Sequence, residues 1–434
     1  WSYADVLPYF KRYENRIGEH DTTYRGTDGE QTVTDLEWRH PLCDAFIKAA
    51  VGIGIPENKD YNGGIQEGVS YVQRTTKGRL RVSAAKAFLN PAKKRRNLSI
   101  RTNAHVMRIE LEGKRATAVR YAVGGRHGVE HVVEARREII LSAGTINSPH
   151  ILQLSGIGPK ELLDDLGIEV KHHLPGVGEN LRDHYAPRFT ARAKNISTIN
   201  ELSRGPRLWA EIGKYLLGKQ SIVGLGPTLV YAFWHSNEAI RNHNLQLTFA
   251  PASYKEGVQS QLDNEPGFTV ASWQQRPESL GWVKARSADP FDKPRIQPNY
   301  LSAEEDKRVL LAGMRLCRRI MATPELAPYL DYEQYPGEHI QRDDELLQVA
   351  RERGTTTYHL MGACRMGPDS DPTAVVDSDL RVKGIKGLRV ADASIMPTML
   401  SSNLNAGALM IGEKASDLVL GKEPLEPIMD AIQH

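Results

Sequence analysis

The chain has 434 residues, long enough for two to four domains at ~100 to 200 residues each, and its 56 basic and 53 acidic side chains leave a net charge of only +3. So even a balance excludes the charge asymmetry expected of a nucleic-acid binder or a membrane-surface protein. The three cysteines, Cys43, Cys317 and Cys364, are odd in number and lack a CxxC pair, which excludes a disulfide framework and a zinc ribbon.

Reducing surroundings suit these cysteines, and no uninterrupted apolar run reaches the ~18 residues of a spanning helix, so a cytoplasmic location is expected. From the N-terminus, Val6, Leu7, Tyr9, Phe10 and Tyr13 fall at helical spacing and predict an amphipathic helix over 1–16, with Pro8 tolerable in its first turns. A glycine- and asparagine-rich run, 62–68, leads to a second helical stretch at 83–89. The basic run 93–96 reads as a solvated helix end.

From 97 to 142 the period changes to two. Runs at 98–101, 106–111, 116–123 and 129–135, separated by turn residues, predict an antiparallel meander. Glu138-Ile139-Ile140-Leu141 is almost continuously apolar and enters Ser142-Ala143-Gly144, as a buried parallel strand delivering a tight turn would; a helix at 148–154 follows. Between 187 and 287, strand-like runs at 188–193, 245–250, 268–273 and 281–285 have no helices between them, which predicts one antiparallel sheet in a distinct domain. Ser302-x-x-Glu305 has capping-box spacing ahead of a helical stripe that includes Cys317, whose expected role is core packing.

The last hundred residues hold three small, polar, glycine-rich blocks: 355–367, 388–394 and 397–407. A helix is expected over 406–420 with Ser402 or Asn403 at its N-cap, and its N-terminus favours an anion in front of it. His359 lies among uncharged neighbours, where a neutral imidazole can take a proton from an alcohol. From periodicity alone a hydrogen-bonded core histidine is the plainer reading. The adjacent pair His172-His173 lacks a third ligand, Cys364 lacks an activating neighbour, and Asp183-His184 reads as domain packing.

Gly144-Thr-Ile-Asn-Ser-Pro-His-Ile-Leu-Gln-Leu-Ser-Gly-Ile-Gly158 resembles the second signature of the glucose–methanol–choline (GMC) oxidoreductase family. Leu174-Pro-Gly-Val-Gly-Glu-Asn-Leu-Arg-Asp-His184, Ser287-Ala-Asp-Pro-Phe-Asp292, Pro298-Asn-Tyr-Leu301 and the three C-terminal blocks resemble it too. The resemblance implies α/β plus α+β architecture: a Rossmann-like FAD-binding domain assembled from 1–186 and 346–434, and a substrate domain, 187–345, built on an antiparallel sheet. FAD is the implied cofactor and a small alcohol the implied substrate, with hydride passing to the flavin and then to an electron acceptor, oxygen or another.

By the same resemblance His359 matches the family's base, Asn403 matches the asparagine of the branch of choline and aliphatic-alcohol dehydrogenases, and Tyr358 faces substrate. Val106 matches the position whose backbone reads the adenine, while Ala143, Gly144, Asp392 and Ala393 match the turns at the phosphates and ribityl chain, and Asn403 and Leu404 precede the helix under the flavin. A trimethylammonium substrate would want an aromatic or acidic cage, to which Trp234, Trp273 and Trp282 are candidates, although sheet packing is the plainer role for each. The family's Gly-x-Gly-x-x-Gly turn is missing: 52–54, 176–178 and 224–226 all lack the third glycine. The expectation is therefore a chain that has lost something over ~100 N-terminal residues and that alone is inactive and poorly soluble. The competing expectation is a non-catalytic remnant.

Overall fold

The structure is a computed structural model that describes residues 1–240, 242–255 and 258–432. The first helix, Tyr3–Tyr13, is closed by a capping box in which Ser2 and Asp5 exchange hydrogen bonds, and it buries Val6, Leu7, Tyr9 and Tyr13. The meander forms as Ala104–Glu112, Arg115–Val123 and Val129–Glu134 in one three-stranded sheet. Residues 98–101 do not join it and run as irregular chain, because Leu98 and Ile100 are exposed and no partner strand reaches them.

Ile139–Leu141 is parallel, as its apolar run implied, and pairs with Leu388–Val390 from near the other end of the chain. The helix after it starts at Gly144 rather than 148, so the turn and the helix are continuous. Gly144 has φ +83°, a left-handed conformation that glycine adopts without strain.

The antiparallel sheet has six strands in the order Leu330–Tyr335, Arg188–Ala193, Gly267–Gln274, Leu245–Ala250, Val230–Trp234 and Gly68–Tyr71. Two expectations are corrected here. Its edge strand Gly68–Tyr71 comes from within 1–186, and Trp282–Lys284 leaves it to pair with Arg295–Gln297 in a separate two-stranded ribbon. Alternation along the strands divides the sheet into two faces. Phe189, Leu247, Phe249, Phe268 and Val270 face a core shared with the helices Pro41–Gly52 and Glu304–Met321. Their alternates Arg188, Thr248, Ala250, Thr269, Ala271 and Trp273 face an open cleft.

Glu304–Met321 begins without the expected capping box: its N-cap is Ala303, which offers no side-chain acceptor, and Ser302 lies one residue too early. Its buried stripe does include Cys317, as expected. A second core joins the N-terminal helix, the parallel pair, the Gly144–Leu154 helix and the C-terminal helix Asn405–Leu420. Among the described residues no helix is long and apolar enough to cross a membrane.

Phe249 is fully buried and stacks on Phe46 with ring centroids 4.5 Å apart. Phe249→Ala is expected to destabilise the sheet half by about 3 to 5 kcal/mol, lost transfer energy plus the cavity left behind. A lowered urea midpoint at unchanged slope is the readout.

Candidate active site

His359 is placed by two segments far apart in sequence. Tyr185–Ala186 pairs antiparallel with Thr355–Thr356, and Arg182 bridges Met361, so Asp183 and His184 lie alongside the loop that carries His359. Tyr358 sits at φ +62°, uncommon for a bulky side chain. The hydrogen bonds on either side hold it there: its own N–H donates to Thr356 Oγ1 at 2.8 Å, and the His359 N–H donates to Asp183 Oδ1 at 2.9 Å. Asp183 also accepts from the hydroxyls of Thr356 and Tyr300.

The imidazole is held at both ring nitrogens. Nε2 lies 2.9 Å from Asn403 Nδ2, and Nδ1 lies 2.9 Å from His184 Nδ1 and 2.8 Å from Thr357 Oγ1. The far nitrogen of His184 is 2.7 Å from the Gln275 carbonyl, which can only accept. His184 therefore carries its proton on Nε2 and presents a lone pair at Nδ1; His359 must carry its own proton on Nδ1, which leaves Nε2 free to act as a base. Asn403 is fixed in turn, because Gln246 Nε2 donates to its Oδ1 at 3.3 Å and Tyr231 also bonds its side chain.

Burial pushes His359 down to about 4. Burial and the neighbouring His359 push His184 down to about 3, against the Gln275 carbonyl. Burial raises Asp183 above its ordinary value despite its hydrogen bonds. Both imidazoles are thus neutral near neutral pH. An unfolded histidine titrates near ~6.5, so below that pH the unfolded chain takes up protons that the folded one refuses. Stability from these two sites is complete above about pH 6.5 and declines as pH falls towards the folded values; the raised Asp183 acts in the opposite sense. Urea midpoints measured from about pH 7 to 4 should fall, and fall less for His184→Asn. A midpoint independent of pH in both proteins would contradict this.

The pair stands at the wall of a cleft of about 870 Å³ whose floor is the open face of the sheet. Tyr358 lines it and is 79% exposed. Trp273 is buried and lies with its ring centroid 6.4 Å from that of His359. The Lys284 ammonium lies over the Trp282 ring, and Trp234 meets His235 edge to face.

Gly144 and Asp392 meet. Asp392 Oδ2 accepts from Gly144 N at 2.9 Å and from Ser148 Oγ at 2.5 Å, while its Oδ1 accepts from Ser394 N at 2.8 Å. Val106, Ala143 and Ala393 pack together against the second core, and Leu404 is buried in it. Thr145 Oγ1 donates to the Leu360 carbonyl at 2.9 Å and so ties this turn to the loop of His359.

The N-cap of the Asn405–Leu420 helix is Leu404, with no side-chain cap; neither Ser402 nor Asn403 serves, because Asn403 is engaged with His359. The first N–H groups of a 16-residue helix are therefore unsatisfied by side chains, and Asn405 and Ala406 are exposed. A side chain built on Gly144 would meet nothing within 4 Å. An uncapped helix N-terminus beside a base, and open space over a glycine turn, fit a flavin that gains negative charge when reduced.

The packing role expected of Asp183 and His184 is corrected by the structure: they contact and orient His359. Nothing in their spacing from His359 could have shown it. Gln246 and Tyr231 were missed because the strand Val230–Trp234 went unread and Gln246 sat inside an apolar run.

A family model described as GMC oxidoreductase, N-terminal part, matches residues 1–186, and its C-terminal counterpart matches residues 277–412. The chain is 40% identical to the oxygen-dependent choline dehydrogenase of Vibrio vulnificus over 98% of this chain and 76% of that one. It is also 40% identical to the mitochondrial choline dehydrogenase of Homo sapiens over 98% of this chain and 71% of that one. Among solved structures it is similar to pyridoxine 4-oxidase from Mesorbium loti, with a TM-score of 0.85, 27% identity and coverage of 98% and 78% of the two chains. The fold is shared with Aspergillus oryzae formate oxidase at a TM-score of 0.87, 24% identity and coverage of 97% and 78%.

The fold and site define a flavin-dependent oxidoreductase. The chain belongs to the GMC oxidoreductase family, and FAD is its cofactor. The match of the N-terminal family model from residue 1 gives no support to the expected loss of an N-terminal segment. The three-glycine turn is absent from these 434 residues all the same.

Proposed function

We propose that this chain oxidises a primary alcohol to the aldehyde, with His359 as the base and Asn403 as the donor that holds the substrate oxygen. The observation that carries this is the 2.9 Å pairing of His359 Nε2 with Asn403 Nδ2 at the wall of the cleft, with Nδ1 already occupied by His184.

A substrate hydroxyl that enters between the two donates to Nε2 in place of Asn403 and accepts from the amide N–H so released. The proton passes to Nε2, and the imidazolium keeps its Nδ1–H on the His184 lone pair. The Asn403 amide holds the developing alkoxide, itself kept in place by Gln246 and Tyr231. FAD, when bound, supplies the hydride acceptor. The positive end of the Asn405–Leu420 helix would favour the negative charge that the flavin gains on reduction. Val106, Ala143, Gly144, Asp392, Ala393 and Leu404 belong to the cofactor's side of this arrangement, and Tyr358 to the substrate's. The division into 1–186, 187–345 and 346–434 goes with that reading, apart from the sheet's edge strand. Three unpaired buried cysteines suit a reducing compartment, the cytoplasm.

The test is an anaerobic titration with FAD followed by a panel of primary alcohols, read by visible absorption. A bound flavin that bleaches with an alcohol supports the proposal; a bound flavin that no primary alcohol reduces would sink it. Since two of the relatives compared are choline dehydrogenases, choline belongs in the panel, and air against an artificial acceptor distinguishes oxidase from dehydrogenase.

A further inference from the structure

The floor of the cleft carries a charge that the proposed reaction does not use. Arg188 lies on the open face of the sheet, in cross-strand register with Ala271, which pairs with Thr248, which pairs with Tyr231. All four line the cleft. Its guanidinium donates to the hydroxyl of Thr355, and among the described residues no carboxylate pairs with it. Burial lowers its proton affinity from the ordinary arginine value, and only Tyr254 and Tyr358 act against that. A half-buried guanidinium whose neighbours are two neutral phenols and a hydroxyl is short of an anion.

The neighbouring cross-strand row places this charge relative to the chemistry. Gln246 pairs with Trp273, two residues along each strand from the Arg188 row, and Gln246 is the residue that holds Asn403. Two residues of strand span ~7 Å, so Arg188 stands roughly that far along the floor from the row beneath the base. The residues beside it, Ala271 and Thr248, are small and leave the floor open. Among the described residues the cleft also holds Lys255, Arg353 and Glu352, of which Glu352 accepts a hydrogen bond from Gln348. The guanidinium makes its own end of the floor cationic, a poor setting for a quaternary ammonium group.

We infer that Arg188 binds a carboxylate on the substrate, so that the preferred alcohol is a short hydroxy acid whose hydroxyl reaches His359 and Asn403 while its carboxylate rests on the guanidinium. The planar fork of arginine matches a carboxylate in two parallel hydrogen bonds, and the small residues around it admit the chain that joins the two ends. This assignment rests on the alcohol-oxidising reading of the same site.

The test compares γ-hydroxybutyrate, n-butanol and choline as substrates with FAD in excess, and butyrate against n-butanol as ligands by calorimetry, for the native chain, Arg188→Met and Arg188→Lys. The native protein should favour γ-hydroxybutyrate over n-butanol in kcat/KM by about tenfold or more, the worth of a charge-assisted contact. That ratio should collapse towards one in Arg188→Met and be partly restored in Arg188→Lys, and butyrate binding should follow the same order. The ratio is internally normalised, so a variant with fewer folded molecules still reports it. Equal or better turnover of n-butanol or choline would overturn the inference and leave alcohol oxidation standing. A flavin that no alcohol reduces would instead overturn the oxidation reading, and butyrate binding that is no tighter than that of n-butanol, or unchanged in Arg188→Met, would overturn the role of Arg188.

Discussion

Replacing His359 by glutamine should lower kcat for a primary alcohol by about 10² to 10⁴, the usual contribution of a positioned general base, while FAD binding changes little. Glutamine fills the same space but cannot accept and keep the proton. The native profile of kcat/KM against pH should rise through about 4, where burial has placed the free imidazole, and be level at neutral pH. Most histidine bases titrate nearer neutrality, so a plateau reaching well into acid is a distinctive result. In His359→Gln that acid limb should disappear. A variant that retained native kcat, or a native profile falling below pH 7, would remove His359 from this role.

Asn403→Ala should lower kcat by about 10² to 10³, with a smaller change in KM, because its amide bonds most strongly to the oxygen once charge has developed there. The variant also strips Nε2 of its Asn403 partner, which by itself would leave the base exposed to solvent rather than absent. The pH profile separates the two effects: the acid limb should persist in Asn403→Ala, since His359 remains. An equal loss in Asn403→Asp would fit, as a carboxylate repels the alkoxide it would have to hold. Stopped-flow reduction of the bound flavin by alcohol checks both variants without interference from the reoxidation step.

His184 sets the state of the base. The lone pair at its Nδ1 is fixed by the backbone carbonyl of Gln275, the residue after the strand Gly267–Gln274, so the tautomer of His359 is set by a segment far in sequence from the one that carries it. Protonating His184 would bring its N–H against that of His359. Burial makes that unfavourable, which is why a pair of adjacent imidazoles is stable here as two neutral rings.

Much of the architecture was written locally. The period-two runs of the meander, the apolar Ile139–Leu141 strand entering Gly144, and the helical stripe through Cys317 are short-range patterns, and short-range sterics and amphipathicity suffice to form them. Family resemblance carried His359 and Asn403, and the structure brings them into contact across 44 residues of sequence. Caps were read less well, because a cap depends on which competing partner the side chain finds: Asn403 left the helix end for the imidazole.

What the sequence by itself determined, then, were the strands and helices whose faces are sorted by period, and the residue types able to do alcohol chemistry. Only the tertiary structure decided the edge strand Gly68–Tyr71, the contacts of Asp183 and His184 with His359, and the place of Arg188 on the cleft floor with no carboxylate partner among the described residues. The reason is physical: each of these rests on a contact between segments about 160 to 180 residues apart, and no local pattern encodes which distant surface a hydrogen-bonding group will meet when the chain closes.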